Sequence, residues 1–212
     1  MRTNRVQSAG GGLREQHKAR RRTRILDATR ELLREDPESV ITTERIAERA
    51  EVSPATVYNL IGPREKIWKA LAEGFLDDLE GRLSALGTGD PQEVVRSTVR
   101  LFVDDPVVSR RMVRGWQESG LVLDRGPLDP LRRAMADARI RGLLRADVGT
   151  DALAAVVSAS CVGAMHQWVV GLIDDDRFLA RALFALDVAL AAAAADPYRD
   201  QLLAPLRTGD AV

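Results

Sequence analysis

The residue types best suited to chemistry lie in one short run, Ser53-Pro54-Ala55-Thr56-Val57-Tyr58-Asn59. Small and polar side chains of this kind can meet the edges of nucleic-acid bases. An amide pairs bidentately with adenine, a methyl group rests on a thymine methyl, and a hydroxyl reaches a phosphate or a base. Asn59 supplies the amide, Ala55 or Thr56 the methyl, and Thr56 and Tyr58 the hydroxyls. Val57 should point inward, and Leu60 should anchor the end of the segment. Cations flank the run. Upstream lies REQHKARRRTR, Arg14 to Arg24, with Arg20, Arg21, Arg22 and Arg24 expected as a basic arm on DNA phosphate or in a minor groove. Downstream, Arg64 falls at a helix start, where backbone donors also favour phosphate. Thr43 and Arg45 are placed to hold the opposite backbone wall.

These residues need elements that hold them. Thr43–Ala50 and Pro54–Leu60 read as two short helices separated only by Glu51, Val52 and Ser53. Their apolar positions, Ile46, Ala47, Ala50, Val52 and Val57, cannot be buried by helices this short, so the pair must pack on each other and on a third helix. That is the arithmetic of a helix-turn-helix. The third helix is expected from about Arg20 to Arg34, where Ile25, Ala28, Leu32 and Leu33 form one stripe. Asp36-Pro37 ends it. Thr42 or Thr43 caps the second helix, and Ser53-Pro54 starts the third with a capping serine and a first-position proline.

Composition sets the class. The chain has 212 residues, 45% hydrophobic and 29% charged, which fits a soluble globular protein with a real core. Aromatic residues make up only 4% and no stretch alternates like a strand, so helices are expected throughout. The net charge of zero hides a division. Residues 1–70 carry 15 Lys and Arg against 10 Asp and Glu, while residues 71–212 carry 16 against 21. A polyanion partner for the basic end and a different task for the acidic end follow. The single cysteine, Cys161, excludes an internal disulfide, and no signal peptide is visible, so a cytoplasmic chain is expected. With two histidines, no phosphate-cradling glycine loop, no zinc spacing and no GxSxG, neither an enzyme nor a cofactor is expected. Asp174-Asp175-Asp176 is explained by capping and the helix macrodipole rather than by a metal.

Further along, Trp68, Ala72, Phe75, Leu79, Leu83 and Leu86 recur at helical steps and predict a fourth helix from about Arg64 to Leu86, closed by Gly87-Thr88-Gly89. Five more helices are expected, Asp90–Val103, Val107–Ser119, Leu131–Leu144 (preceded by Gly126-Pro127), Asp151–Ile173 and Asp174–Ala195, the last stopped by Asp196-Pro197. Ala152 to Ile173 contains no Asp, Glu, Lys or Arg over 22 residues. Its many small and polar residues favour a buried helix in a soluble dimer over a membrane span.

The run RTRILDATRELL…ITTERIAERAEVSPATVYNLIGPREKI resembles the N-terminal domain of the TetR family of transcriptional regulators. The match is carried by Ile46-Ala47, Ala50, Val52-Ser53, Thr56-Val57-Tyr58, Arg64-Glu65 and Ile67, and it spans roughly Thr23 to Lys69. Gly142-Leu143-Leu144-Arg145-Ala146-Asp147 is similar to the family's link into helix 8. The sequence departs from the pattern at Glu51, where the turn glycine is expected. A left-handed residue there with a side chain costs on the order of 1 kcal/mol. Ile61 replaces an aromatic residue and Arg64 a lysine.

The resemblance implies an all-α fold of about nine helices, with a disordered tail (1–13), a helix-turn-helix domain (14–69) and a helical effector-binding and dimerisation domain (70–212). It implies a homodimer joined through helices 8 and 9, where Ala155, Ala159 and Gly163, and Ala182, Ala185 and Ala189, give small-residue faces. It also implies a pocket among helices 4 to 8. Phe75, Phe102, Met112, Trp116, Met165 and Trp168, with Gln117 and His166 as polar candidates, suggest a mainly apolar effector. The expected function is a ligand-responsive repressor of a palindromic double-stranded DNA operator. The competing reading is a helical DNA-binding or interaction protein without a small-molecule effector.

Overall fold

A computed structural model of the chain describes residues 7–86, 89–120 and 128–207. Ten helices and no strands occur among them. They are α1 (Gln7–Glu35), α2 (Thr43–Arg49), α3 (Pro54–Leu60), α4 (Glu65–Leu86), α5 (Pro91–Val103), α6 (Pro106–Ser119), α7 (Leu128–Ile140), α8 (Thr150–Val169), α9 (Asp175–Ala193) and α10 (Asp196–Arg207). The expected breaks at Gly87-Thr88 and Gly126-Pro127 lie outside the described residues.

Nine of these are the nine expected helices, with shifted ends. α1 begins at Gln7, inside the tail expected to be disordered over residues 1–13. Helix growth adds one hydrogen bond per residue fixed, so a nucleated α1 extends backwards even through glycines. Asp196-Pro197 was expected only to stop α9, yet it opens α10, because Asp-Pro is as good a helix start as a helix stop. α7 and α8 end earlier than expected. Gly142 (φ +75°) and Gly171 (φ +78°) take left-handed positions there. In each case the following amide reaches back five residues: Leu143 N–H donates to Ala138 O at 3.0 Å, and Leu172 N–H to Gln167 O at 2.9 Å.

The chain divides into two compact units, residues 1–73 with 107–121, and residues 74–106 with 122–212. The division falls within α4, a few residues beyond the expected boundary at 69/70. It also places α6 with the helix-turn-helix rather than with the second domain.

In the first unit, α1 supplies Ile25 and Leu33, α2 Ile46 and Ala47, α3 Val57, and α4 Ile67 and Leu71, all fully or nearly fully buried. α6 adds Met112 and Val113. It closes on α4 through Gly115, where a Cβ would fall 2.4 Å from the Trp68 indole. The Arg111 guanidinium lies 4.8 Å from the centroid of the same ring, a cation–π contact. In the second unit, α9 packs against α5, α8 and α10, and α7 against α5 and α8. Trp168, Phe178, Leu186, Leu190 and Met135 are its largest buried side chains. α8 is long and apolar enough by composition to cross a membrane, with mean hydropathy 1.4, but only 28% of that window is buried within the unit.

The turn between α2 and α3 keeps the left-handed geometry despite Glu51, which sits at φ +51°. Glu51 N–H donates to Glu48 O at 3.1 Å, and Val52 N–H to Ala47 O at 2.9 Å, the same pattern that the two glycines make elsewhere. Glu51→Gly is therefore expected to raise stability by about 0.5–1 kcal/mol, read as a higher urea midpoint. Gly115→Ala is expected to lower stability by about 1–3 kcal/mol in the same measurement, because the methyl group meets a rigid ring.

Candidate nucleic-acid interface

The geometry of α3 follows from its first residue. Ser53 Oγ accepts from Thr56 N–H at 3.2 Å and lies 2.9 Å from Thr56 Oγ1. The Thr56 hydroxyl is therefore held by the cap. At α2 the choice between two threonines resolves to Thr42, whose Oγ1 accepts from Arg45 N–H at 3.2 Å, and Thr43 is the first helical residue. Val57 is fully buried and pins α3 to the core. Its neighbours Ser53, Pro54, Ala55, Tyr58 and Asn59 are exposed, and Tyr58 is 61% exposed. The tyrosine ring is presented outward rather than packed on α1. The short side chains expected to read base edges thus share one uncovered surface.

The arginines divide by task. Arg22 Nη1 donates to Leu60 O at 3.1 Å, at the end of α3, while its Nη2 pairs with Glu73 at 3.3 Å. Arg24 Nη2 donates to Ala50 O at 2.5 Å, at the end of α2, and pairs with Glu51 at 3.2 Å. Both guanidinium groups cap carbonyl ends, where a cation is favoured by the helix dipole. Arg45 Nη1 donates to Ser39 Oγ at 3.0 Å and Val40 O at 3.2 Å. All three were expected on DNA; each uses only part of its five N–H donors as a fastener within the unit. Arg49 forks onto Glu35 at 2.7 and 2.8 Å, which holds that carboxyl below the usual range and joins α2 to α1.

Arg20, Arg21 and Arg64 are exposed and form no ion pair among the described residues. Arg21 lines a cleft of about 460 Å³ beside α3. Arg14, His17 and Lys18 line it from α1, and Thr56, Asn59 and Leu60 from α3. Arg14, His17 and Lys18 were not singled out from the sequence beyond membership of the basic stretch. Their signal was present: they continue the stripe of Ile25, Ala28 and Leu32 backwards at helical spacing. The stretch is helical here, not an extended arm.

The residues expected around an effector do not form one group. Phe75, Phe102 and Trp168 come together in the second unit, joined by Phe178, which the sequence reading missed. Ring centroids are 4.3 Å apart for Phe75–Phe102, 6.3 Å for Phe102–Trp168 and 5.3 Å for Trp168–Phe178. Trp168 is fully buried, and its Nε1–H donates to Asp175 Oδ1 at 2.6 Å. Met112, Trp116 and Gln117 lie on α6 in the first unit. On α8, Met165 is half-buried and His166 exposed.

For the expected dimer face, Ala155, Ala159 and Gly163 are exposed on α8, next to Val156 and Val162, while Ala185 on α9 is half-buried. Ala182 and Ala189 are buried inside their own unit, because the small-residue stripe of α9 faces α5 and α8. They leave the interface set. Burial pushes the Cys161 thiol up to about 11, so it stays protonated near neutral pH and is a poor nucleophile.

Residues 25–60 match the family model of bacterial regulatory proteins, tetR family. No curated protein matches the chain. Among solved structures, the chain is similar to one described as the molecular basis for control of antibiotic production by bacterial hormones. That likeness has 23% identity and a TM-score of 0.60, and covers 82% of this chain and 97% of the other. It is also similar to SmeT, the repressor of the Stenotrophomonas maltophilia multidrug efflux pump SmeDEF. There the identity is 24% and the TM-score 0.57, covering 84% of this chain and 92% of the other. Identities this low speak to the fold alone. The matched segment runs from α1 through α3, so the helix-turn-helix of this chain is similar to that of the tetR family of bacterial regulatory proteins.

Proposed function

We propose that this chain is a cytoplasmic, ligand-responsive transcriptional repressor that binds a roughly palindromic DNA operator as a homodimer. The observation that carries the reading is α3, whose short polar residues are exposed while exposed cations stand on α1 and at the start of α4. Pro54, Ala55, Tyr58 and Asn59 face the major groove, with Ser53 and Thr56 at its edge. Arg20, Arg21, Thr43 and Arg64 hold phosphates on either side. The exposed face of α8 around Ala155, Val156, Ala159, Val162 and Gly163 meets its copy in a second subunit. A two-fold pair then presents two reading heads to two half-sites.

The two similar structures concern hormone control of antibiotic production and repression of an efflux pump. The first of them supports a small-molecule signal for this chain as well. The aromatic cluster of Phe75, Phe102 and Trp168 suits an apolar or aromatic effector. α4 contributes to both units, so a shift of that helix changes the separation of the two heads. An effector that lowers operator affinity needs a coupling of about 1–3 kcal/mol.

Selection of duplexes from a randomised pool, followed by titration at fixed salt, tests the reading. The selected operator should bind at least about 10³-fold more tightly than random duplex. A ratio near one would instead establish a DNA-binding protein without sequence reading. Arg64→Ala should weaken binding to all sequences alike and reduce the salt slope by about 1. An unchanged slope removes Arg64 from the phosphate contacts.

A further inference from the structure

Arg14, Lys18, Arg21, Ile25, Ala28 and Leu32 follow one another along α1 at alternating steps of four and three residues, which places them on one face of the helix. From Ile25 onward that face is buried against the helix-turn-helix. From Arg21 backward it is exposed, and every residue from Gly12 to Arg21 is exposed with it. The stripe therefore changes from apolar to cationic at the point where α1 runs past the core, and it keeps the same orientation. The overhanging cations face the side on which α3 lies. They and α3 enclose the cleft of about 460 Å³ that Thr56 and Asn59 also line. No carboxylate lines it, and Arg14, Lys18 and Arg21 form no ion pair among the described residues. Their neighbours on the same helix, Arg22 and Arg24, are both bonded inside the unit.

We infer that the overhang of α1 is a second DNA-binding element, distinct from the reading helix. It is a rigid cationic rod that grips one sugar-phosphate strand between itself and α3 and extends the footprint beyond the bases α3 touches. The cations from Arg14 to Arg21 span roughly 10 Å at 1.5 Å per residue, enough to meet about two successive phosphates of one strand. Its contribution is independent of sequence, because point charges on phosphates carry no base information. This inference rests on the DNA-binding reading above and adds the part played by α1.

The test uses the full chain, a random 40-base-pair duplex and a duplex recovered by selection. Arg14→Gln/Lys18→Gln/Arg21→Gln is expected to lower the slope of log affinity against log salt by about 0.9 per cation and per head on both probes. The ratio between the probes should stay unchanged, as should thermal stability. Arg14→Lys/Arg21→Lys, which keeps the charge, should keep the slope. If the wild type binds neither duplex, the regulator reading fails and the inference with it. If the wild type binds and the triple variant keeps its slope, the inference is overturned while the reading head stands. A collapse of the ratio between probes would also overturn it, since α1 would then be reading bases. Loss of polyglutamate binding in a triple variant with an unchanged DNA slope would reassign the stripe to an acidic polypeptide.

Discussion

The first unit depends on one constraint: α2 and α3 are seven residues each and cannot hold themselves. An isolated helix of that length is unstable in water, because the cost of nucleation is never recovered. Their order comes from burying Ile46, Ala47 and Val57 against each other and against α1, which supplies Ile25 and Leu33. A fully buried side chain of this size is worth about 1.5–3 kcal/mol, so a few of them suffice to fix both helices. The polar contacts then refine what burial has fixed. Arg24 closes the end of α2 and Arg22 the end of α3, both from the helix that supplies the apolar stripe. One helix thus provides the floor of the motif and the caps at its two exits.

That double use explains which features the sequence disclosed. The helix-turn-helix was legible because its determinants are local: Ser53-Pro54 starts α3 whatever surrounds it, and the apolar spacing of Ile46, Ala47 and Val57 allows one packing. The division of labour among the arginines was not legible. Arg20 to Arg24 look alike as a charge run. Only the fold shows that Arg22 and Arg24 meet carbonyls 38 and 26 residues away while Arg21 turns outward. The same limit applies to α6. Its pattern predicts a helix, but its place beside Trp68 depends on Gly115 meeting an indole 47 positions distant in the chain. In α9, small residues were read as an interface. Alanine marks close approach without saying to what, and Ala182 and Ala189 approach helices of their own unit.

The second unit shows what remains hidden for a different reason. Its helix starts were plain, since Asp90-Pro91 and Asp174 cap α5 and α9 through their own side chains. Its ligand chemistry was not, because aromatic residues fill cores and pockets alike. Trp168 is enclosed by Phe102 and Phe178 and bonded to Asp175, which satisfies every demand of a core tryptophan. Phe75 and Phe102 are less deeply buried and form the more accessible end of that cluster.

Glu51 brings the two scales together. A left-handed residue with a side chain costs about 1–2 kcal/mol. The turn survives because Ala50 and Val57 on either side are buried, and because two backbone hydrogen bonds close it. The carboxylate nevertheless stands exposed at the start of α3. Arg24 lies 3.2 Å from it and neutralises it, at a pair too exposed to add more than a few tenths of a kcal/mol to stability. The contact therefore matters less for folding than for the field it leaves. With Glu51 matched to Arg24, its carboxylate no longer stands as an unopposed anion at the start of α3.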